Sequence, residues 1–170
     1  MAKCIVTGGA GFIGSHITDK LISEGHQVLV IDNLMLGNKE FVNKEAEFHK
    51  VDIREKDNLV ELFSGAEVVF HLAADPRLQV SIEDPISTHE INVTGTLNVL
   101  QAAVENNVKK VVFSSSCATY GDVGIPIKEE DQGKVNPPSP YGLHKLMGEM
   151  YCNLYSELFD LETVSLRYFN

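Results

Sequence analysis

The stretch Ile5-Val6-Thr7-Gly8-Gly9-Ala10-Gly11-Phe12-Ile13-Gly14 decides the fold. A β-branched run gives way to glycines at positions 8, 11 and 14, then to apolar residues at Ile13, Ile17 and Leu21. Steps of four mark a helix, and Gly25 stands where it would stop. Strand, glycine turn and helix in that order can hold a pyrophosphate. The tight turn needs a residue without Cβ, the phosphates need backbone N–H groups at a helix N-terminus, and the last glycine lets helix and strand pack closely. Taken alone, the same residues also fit an ordinary glycine-rich turn.

Beyond this stretch, short apolar runs alternate with helical patterns. Val28–Ile31, Phe48–Val51, Val68–Phe70, Val111–Phe113 and Thr163–Leu166 read as continuously buried strands, as expected where helices cover both faces of a parallel sheet. Helices are expected at 57–63, along the stripe Val93, Leu97, Leu100, Val104, and from Ser139-Pro140 to about Phe159. In the last of these, the stripe Leu143, Leu146/Met147, Met150, Leu154, Leu158 is expected to pack on the sheet. The alternation predicts an α/β doubly wound parallel sheet with right-handed crossovers. Segments 33–45 and 121–138 read as irregular.

Composition sets limits. The chain has 170 residues, 44% of them hydrophobic, enough for one cored domain and too many for a solvated coil. Its net charge of −10, with no Lys/Arg block, argues against nucleic acid as a partner. No apolar run is long enough to cross a bilayer. Cys4, Cys117 and Cys152 form no CxxC pattern, so neither a disulfide framework nor a metal site is expected, and a reducing cytoplasmic location is. Met1-Ala2-Lys3 leads straight into a strand, without the look of a signal peptide.

Chemistry-bearing residues gather at expected strand ends. Asp32 follows the second strand, where a carboxylate can accept hydrogen bonds from both ribose hydroxyls of an adenosine and would repel a 2′-phosphate. NAD is thereby favoured over NADP, and Asn33 stands where an NADP site would suit an Arg. Asp52 is expected at the end of the third strand, with Ile53 beside an adenine. His71-Leu72-Ala73-Ala74 closes the fourth strand with small residues that permit backbone approach, His71 reading as structural. Ser114-Ser115-Ser116 closes the fifth. Tyr141-Gly142-Leu143-His144-Lys145 puts a phenol and an ammonium on one helix face.

TGGxGxxG near the N-terminus with a later YxxxK resembles the short-chain dehydrogenase/reductase superfamily, best its extended branch of nucleotide-sugar epimerases and dehydratases. The resemblance runs the length of the chain. It implies a Rossmann-like cofactor domain with NAD held by Gly8, Gly11, Phe12, Ile13, Asp32, Asn33, Asp52, Ile53, Leu72, Ala73, Ala74, Ser114, Tyr141, Lys145 and Tyr168. It assigns catalysis to Tyr141, Lys145 and Ser116, and substrate contact to Ser116, Tyr141 and Asn170. Phe169 would help line the nicotinamide. Asn92 would brace backbone, and Arg77 is placed to meet a phosphate.

The ammonium of Lys145 and a positive nicotinamide would favour the Tyr141 phenolate. A downward shift of about three units, roughly 4 kcal/mol, would make it a base near neutral pH. Related dehydratases carry carboxylates after their hydroxyl residue. Here Cys117-Ala118 stand there, which favours simple oxidation and re-reduction. The expected activity is inversion of C4 in a UDP-hexose through a 4-keto sugar. The alternatives are a UDP-glucuronate epimerase or dehydratase, and a non-catalytic NAD-binding domain. Relatives continue into a further strand and a substrate domain, so residues 1–170 are expected to be the cofactor half. A homodimer through the helices around 93–106 and 141–159 is implied in the same way.

Overall fold

The structure, a computed structural model, describes residues 1–122 and 135–169. Six strands, β1 (Lys3–Thr7), β2 (Gln27–Ile31), β3 (Glu47–His49), β4 (Val68–His71), β5 (Lys110–Ser116) and β6 (Glu162–Tyr168), form one sheet. Their order is β3-β2-β1-β4-β5-β6 and every pair is parallel. Chain order reverses between β1 and β4, which opens a crevice at the carboxyl ends of those strands.

Strand alternation sorts the core into two layers. Ile5, Leu29, Ile31, Val69, Val111 and Phe113 face one side, under α2 (Lys56–Leu62), α5 (Gly95–Glu105) and α6 (Pro140–Phe159). Val6, Val28 and Val30 face the other, under α1 (Phe12–Ser23), whose Ile17, Leu21 and Ile22 cover them. The expected two-sided covering therefore holds over β1–β3. At β6 one face is open, with Val164 and Leu166 at 38% and 39% exposure.

Two sequence expectations need correction. The third strand ends at His49, not Val51, and Asp52 lies in the loop beyond it. There its carboxylate accepts from the Arg54 backbone and guanidinium at 2.9 Å each. The apolar stripe of α6 does not pack on the sheet: Leu143, Met150, Leu154 and Leu158 are 44–63% exposed. The sheet-facing side carries Lys145, Gly148, Glu149 and Cys152 instead. The reason is steric: a Cβ on Gly148 would lie 2.5 Å from the Phe113 ring, so only a small residue fits there.

Short helices carry the switch region. α3 (Leu78–Glu83) and α4 (Pro85–His89) precede a wide π turn, Glu90–Thr94, that runs on into α5. Asn92 in that turn accepts from the Asp75 N–H at 2.8 Å and donates to the Asp75 carbonyl at 3.0 Å. It braces the loop after β4, as the resemblance implied.

Candidate active site

The glycine turn is built by close approach. Gly8 has φ +74, and a Cβ there would lie 2.6 Å from the Ala73 nitrogen. Its own N–H donates to the Ile31 carbonyl at 2.8 Å, so the turn is fastened to β2 and pressed on β4. A Cβ on Gly14 would overlap the Gly8 carbonyl, which is why helix and turn can nest only with glycine there. Gly11 caps α1 without a side-chain hydrogen bond, leaving the first-turn N–H groups to an anion.

A cavity of about 730 Å³ lies over this turn, a size suited to a bound cofactor. Every cofactor and catalytic residue expected from the sequence lines it, apart from the substrate residue Asn170, which is outside the described residues. So do residues that sequence reading did not single out, among them Met35, Gly37 and Leu78. Gly37 closes over Asp32, where a Cβ would lie 3.0 Å from a carboxylate oxygen.

Asp32 is buried after β2. Its two oxygens accept from the Ala10 N–H at 3.0 Å and the Leu34 N–H at 2.8 Å. These bonds aim the carboxylate and leave lone pairs for hydroxyl donors. Asn33 donates to Asp52 at 2.8 Å, and Arg54 holds the Asp52 carboxyl down to about 2. The turn's open backbone, the bare helix N-terminus and the aimed Asp32 fit a dinucleotide with a free ribose.

The opposite end of the cavity carries the reactive groups. Ser139 caps α6 by accepting from the Gly142 N–H at 3.2 Å, and Pro140 occupies its first turn. Ser81 of α3 accepts from the Tyr141 N–H at 3.1 Å, which ties the helix start to the switch region. Tyr141 and Lys145 share one face. The Tyr141 phenol and the Ser116 hydroxyl both line this end of the cavity. Lys145 is buried, donates to the Ser114 carbonyl at 2.7 Å and sits 5.0 Å over the Phe113 ring. Burial lowers its pKa to about 8.

The phenol departs from the sequence expectation. Burial raises the Tyr141 pKa, and the neighbouring Ser116 hydroxyl only partly opposes the rise. Lys145, whose Nζ donates to the Ser114 carbonyl, is not among the groups that lower it. Arg77 also differs: it pairs with buried Asp75 at 2.7 Å rather than standing clear for a phosphate.

His71 is structural. It is 1% exposed, with Nδ1 2.7 Å from the Thr7 hydroxyl and Nε2 3.0 Å from that of Thr96. Burial holds its pKa down at about 3, against an ordinary 6.5. The folded protein thus refuses a proton that the unfolded chain accepts. Stability from this group is complete above about 6.5 and is lost as pH falls toward 3. Its ring resonances are expected not to titrate near 6.5 in NMR spectra, whereas the thermal midpoint falls through that window. A normal titration of the ring would contradict the burial account.

Comparison with known proteins agrees with this geometry. The family described as NAD dependent epimerase/dehydratase matches residues 4–170. A UDP-glucose 4-epimerase of Halalkalibacterium halodurans is 42% identical over 98% of this chain and 50% of its own length. The UDP-glucose 4-epimerase of Thermus thermophilus in complex with NAD superposes with a TM-score of 0.92 at 40% identity, covering 98% of this chain and 54% of that one. That of Thermotoga maritima with UDP-glucose gives 0.93 at 38% identity, covering 98% and 55%. The chain spans about half the length of the curated relatives it matches. With its parallel sheet, glycine turn and YxxxK helix, the chain belongs to the NAD dependent epimerase/dehydratase family.

Proposed function

We propose that the protein inverts C4 of a UDP-hexose of the glucose/galactose type, with residues 1–170 as its cofactor-binding unit. The observation that carries this reading is the convergence of the Ser116 hydroxyl, the Tyr141 phenol and the Lys145 ammonium on one wall of the cavity that begins at the glycine turn. NAD, when bound, supplies reversible hydride acceptance, which makes the C4 alcohol a ketone and then an alcohol again. Tyr141 takes the proton of the 4-hydroxyl and later returns it. Ser116, which lines the same cavity, orients the sugar oxygen beside the phenol. Lys145, buried one helical turn along the same face, would hold the nicotinamide ribose. Tyr168 and Phe169 form the wall at the end of β6.

Cys117 and Ala118 line the cavity just after Ser116, where a dehydratase of this branch would need carboxylates. This favours epimerisation over elimination. The substrate's nucleotide would be held by a further domain. The half-length match to relatives and the open face of β6 support that reading. The exposed apolar stripe of α6 supports a homodimer, which sedimentation would detect. The free cysteines suit a reducing cytoplasm.

The test is the product of the complete reading frame, incubated with NAD and UDP-galactose. UDP-glucose should form with no net reduction of cofactor. Keto or dehydrated products would point to another enzyme of the branch, and NAD binding without any turnover to a non-catalytic domain. Cofactor choice has its own check. Asp32→Ala removes two ribose acceptors, and NAD affinity should fall at least about tenfold with discrimination against NADP reduced. Unchanged affinity for both would remove Asp32 from the ribose site.

A further inference from the structure

Three residues of α6 spaced four apart, Tyr141, Lys145 and Glu149, face the end of β5. Lys145 donates to the Ser114 carbonyl, Glu149 accepts from the Ser115 hydroxyl, and Tyr141 lines the same cavity as Ser116. Tyr141 and Lys145 belong to the reactive wall, and Glu149 does not. Glu149 is 7% exposed and Ser115 3%. Arg167 of β6 closes the arrangement, reaching Glu149 with Nε at 2.8 Å and Nη2 at 2.7 Å, while its guanidinium lies 4.5 Å from the Tyr120 ring centroid.

A buried ion pair adds little net stability over apolar packing of the same volume. What this pair does is geometric. It joins α6, β5 and β6 immediately behind the cavity wall. It also gives the Glu149 carboxylate a partner other than Lys145, which lies one turn away on the same helix face. Among the described residues, the charged and titratable groups around Glu149 include Arg167 from β6, Tyr120 behind it, and Lys145 and Cys152 on α6.

We propose that the Glu149–Arg167 pair is a positioning device: it grips Ser115 so that Ser114 and Ser116 meet Lys145 and Tyr141, and it keeps the Glu149 carboxylate turned away from Lys145. The proposal rests on the epimerase reading for its kinetic readout only. Arg167→Met leaves a buried carboxylate without its guanidinium partner. The double variant Glu149→Gln, Arg167→Met removes both charges and keeps an acceptor for Ser115.

In the NAD-loaded protein, Arg167→Met should lower kcat at least about tenfold with KM for UDP-galactose and NAD affinity little changed. It should also shift the Tyr141 phenol titration. The double variant should recover most of kcat and return the titration toward wild type, since the misplaced charge is gone. Thermal midpoints of both variants separate these effects from unfolding. The proposal is overturned if folded Arg167→Met keeps kcat and titration as in wild type, or if the double variant is as impaired as the single one. If the wild-type protein does not turn over UDP-galactose, the epimerase reading fails, and the phenol titrations alone decide the positioning role.

Discussion

Replacing Tyr141 by phenylalanine should lower turnover of UDP-galactose by about a thousandfold and leave NAD affinity within about threefold of wild type. The substitution removes one oxygen and leaves the ring in place. In the proposed mechanism the lost oxygen is the acceptor for the sugar proton. The residues proposed to hold the cofactor's pyrophosphate and adenosine, around Gly8 and Asp32, keep their own hydrogen bonds. Kinetics and equilibrium binding on the same preparation check both halves. Turnover near wild type would mean that another group takes the proton.

Gly8→Ala should be severely damaging at the chain's cofactor end. The residue has φ +74, and the added carbon meets backbone atoms of Ala73 and Leu72 at 2.6–2.9 Å, which cannot rotate away. Strain and overpacking together are worth about 2–4 kcal/mol. The thermal midpoint should fall by roughly 10 °C. Because the turn is also fastened to Ile31, relief must move the α1 N-terminus, and NAD affinity should drop at least about tenfold. Gly25→Ala is the control. Its φ is +83, yet nothing lies within 4 Å of the added carbon. It should cost about 1 kcal/mol and leave NAD binding intact. Equal effects on NAD binding from both changes would show that backbone conformation, not approach to β4, is what matters at Gly8.

What could be read from the chain was local chemistry at fixed spacing. The glycine turn, Asp32 and the Tyr141/Lys145 pair each carry their geometry within a few residues, and one cavity joins them. What could not be read was non-local. Ser81 bonds the Tyr141 N–H, and Asn92 braces Asp75, across sequence gaps that leave no periodic trace. The helix stripe Leu143–Leu158 was visible, but periodicity does not say which side of a helix faces the sheet. The Phe113 ring and the reactive groups claim the inner side, which is small and polar, and the leucines are left outside. The third strand reads too long because Val51 is a β-branched residue just beyond it, whereas the loop after His49 is turned by the Asp52–Arg54 clamp. The direction of the phenol's shift was missed for a similar reason. Sequence shows an ammonium four residues away but neither the burial of Tyr141 nor the Ser114 carbonyl that engages Lys145.

That last point makes the ionisation of Tyr141 the most direct check. Ultraviolet difference titration of the phenol, with Tyr141→Phe as the blank, should be run with and without NAD. Without cofactor the midpoint should lie above the ordinary value of 10. With NAD bound it should fall, because an oxidised pyridine ring brings positive charge to the wall that holds the phenol. A midpoint that does not move when NAD binds would contradict the convergence of phenol and cofactor on which the mechanism depends.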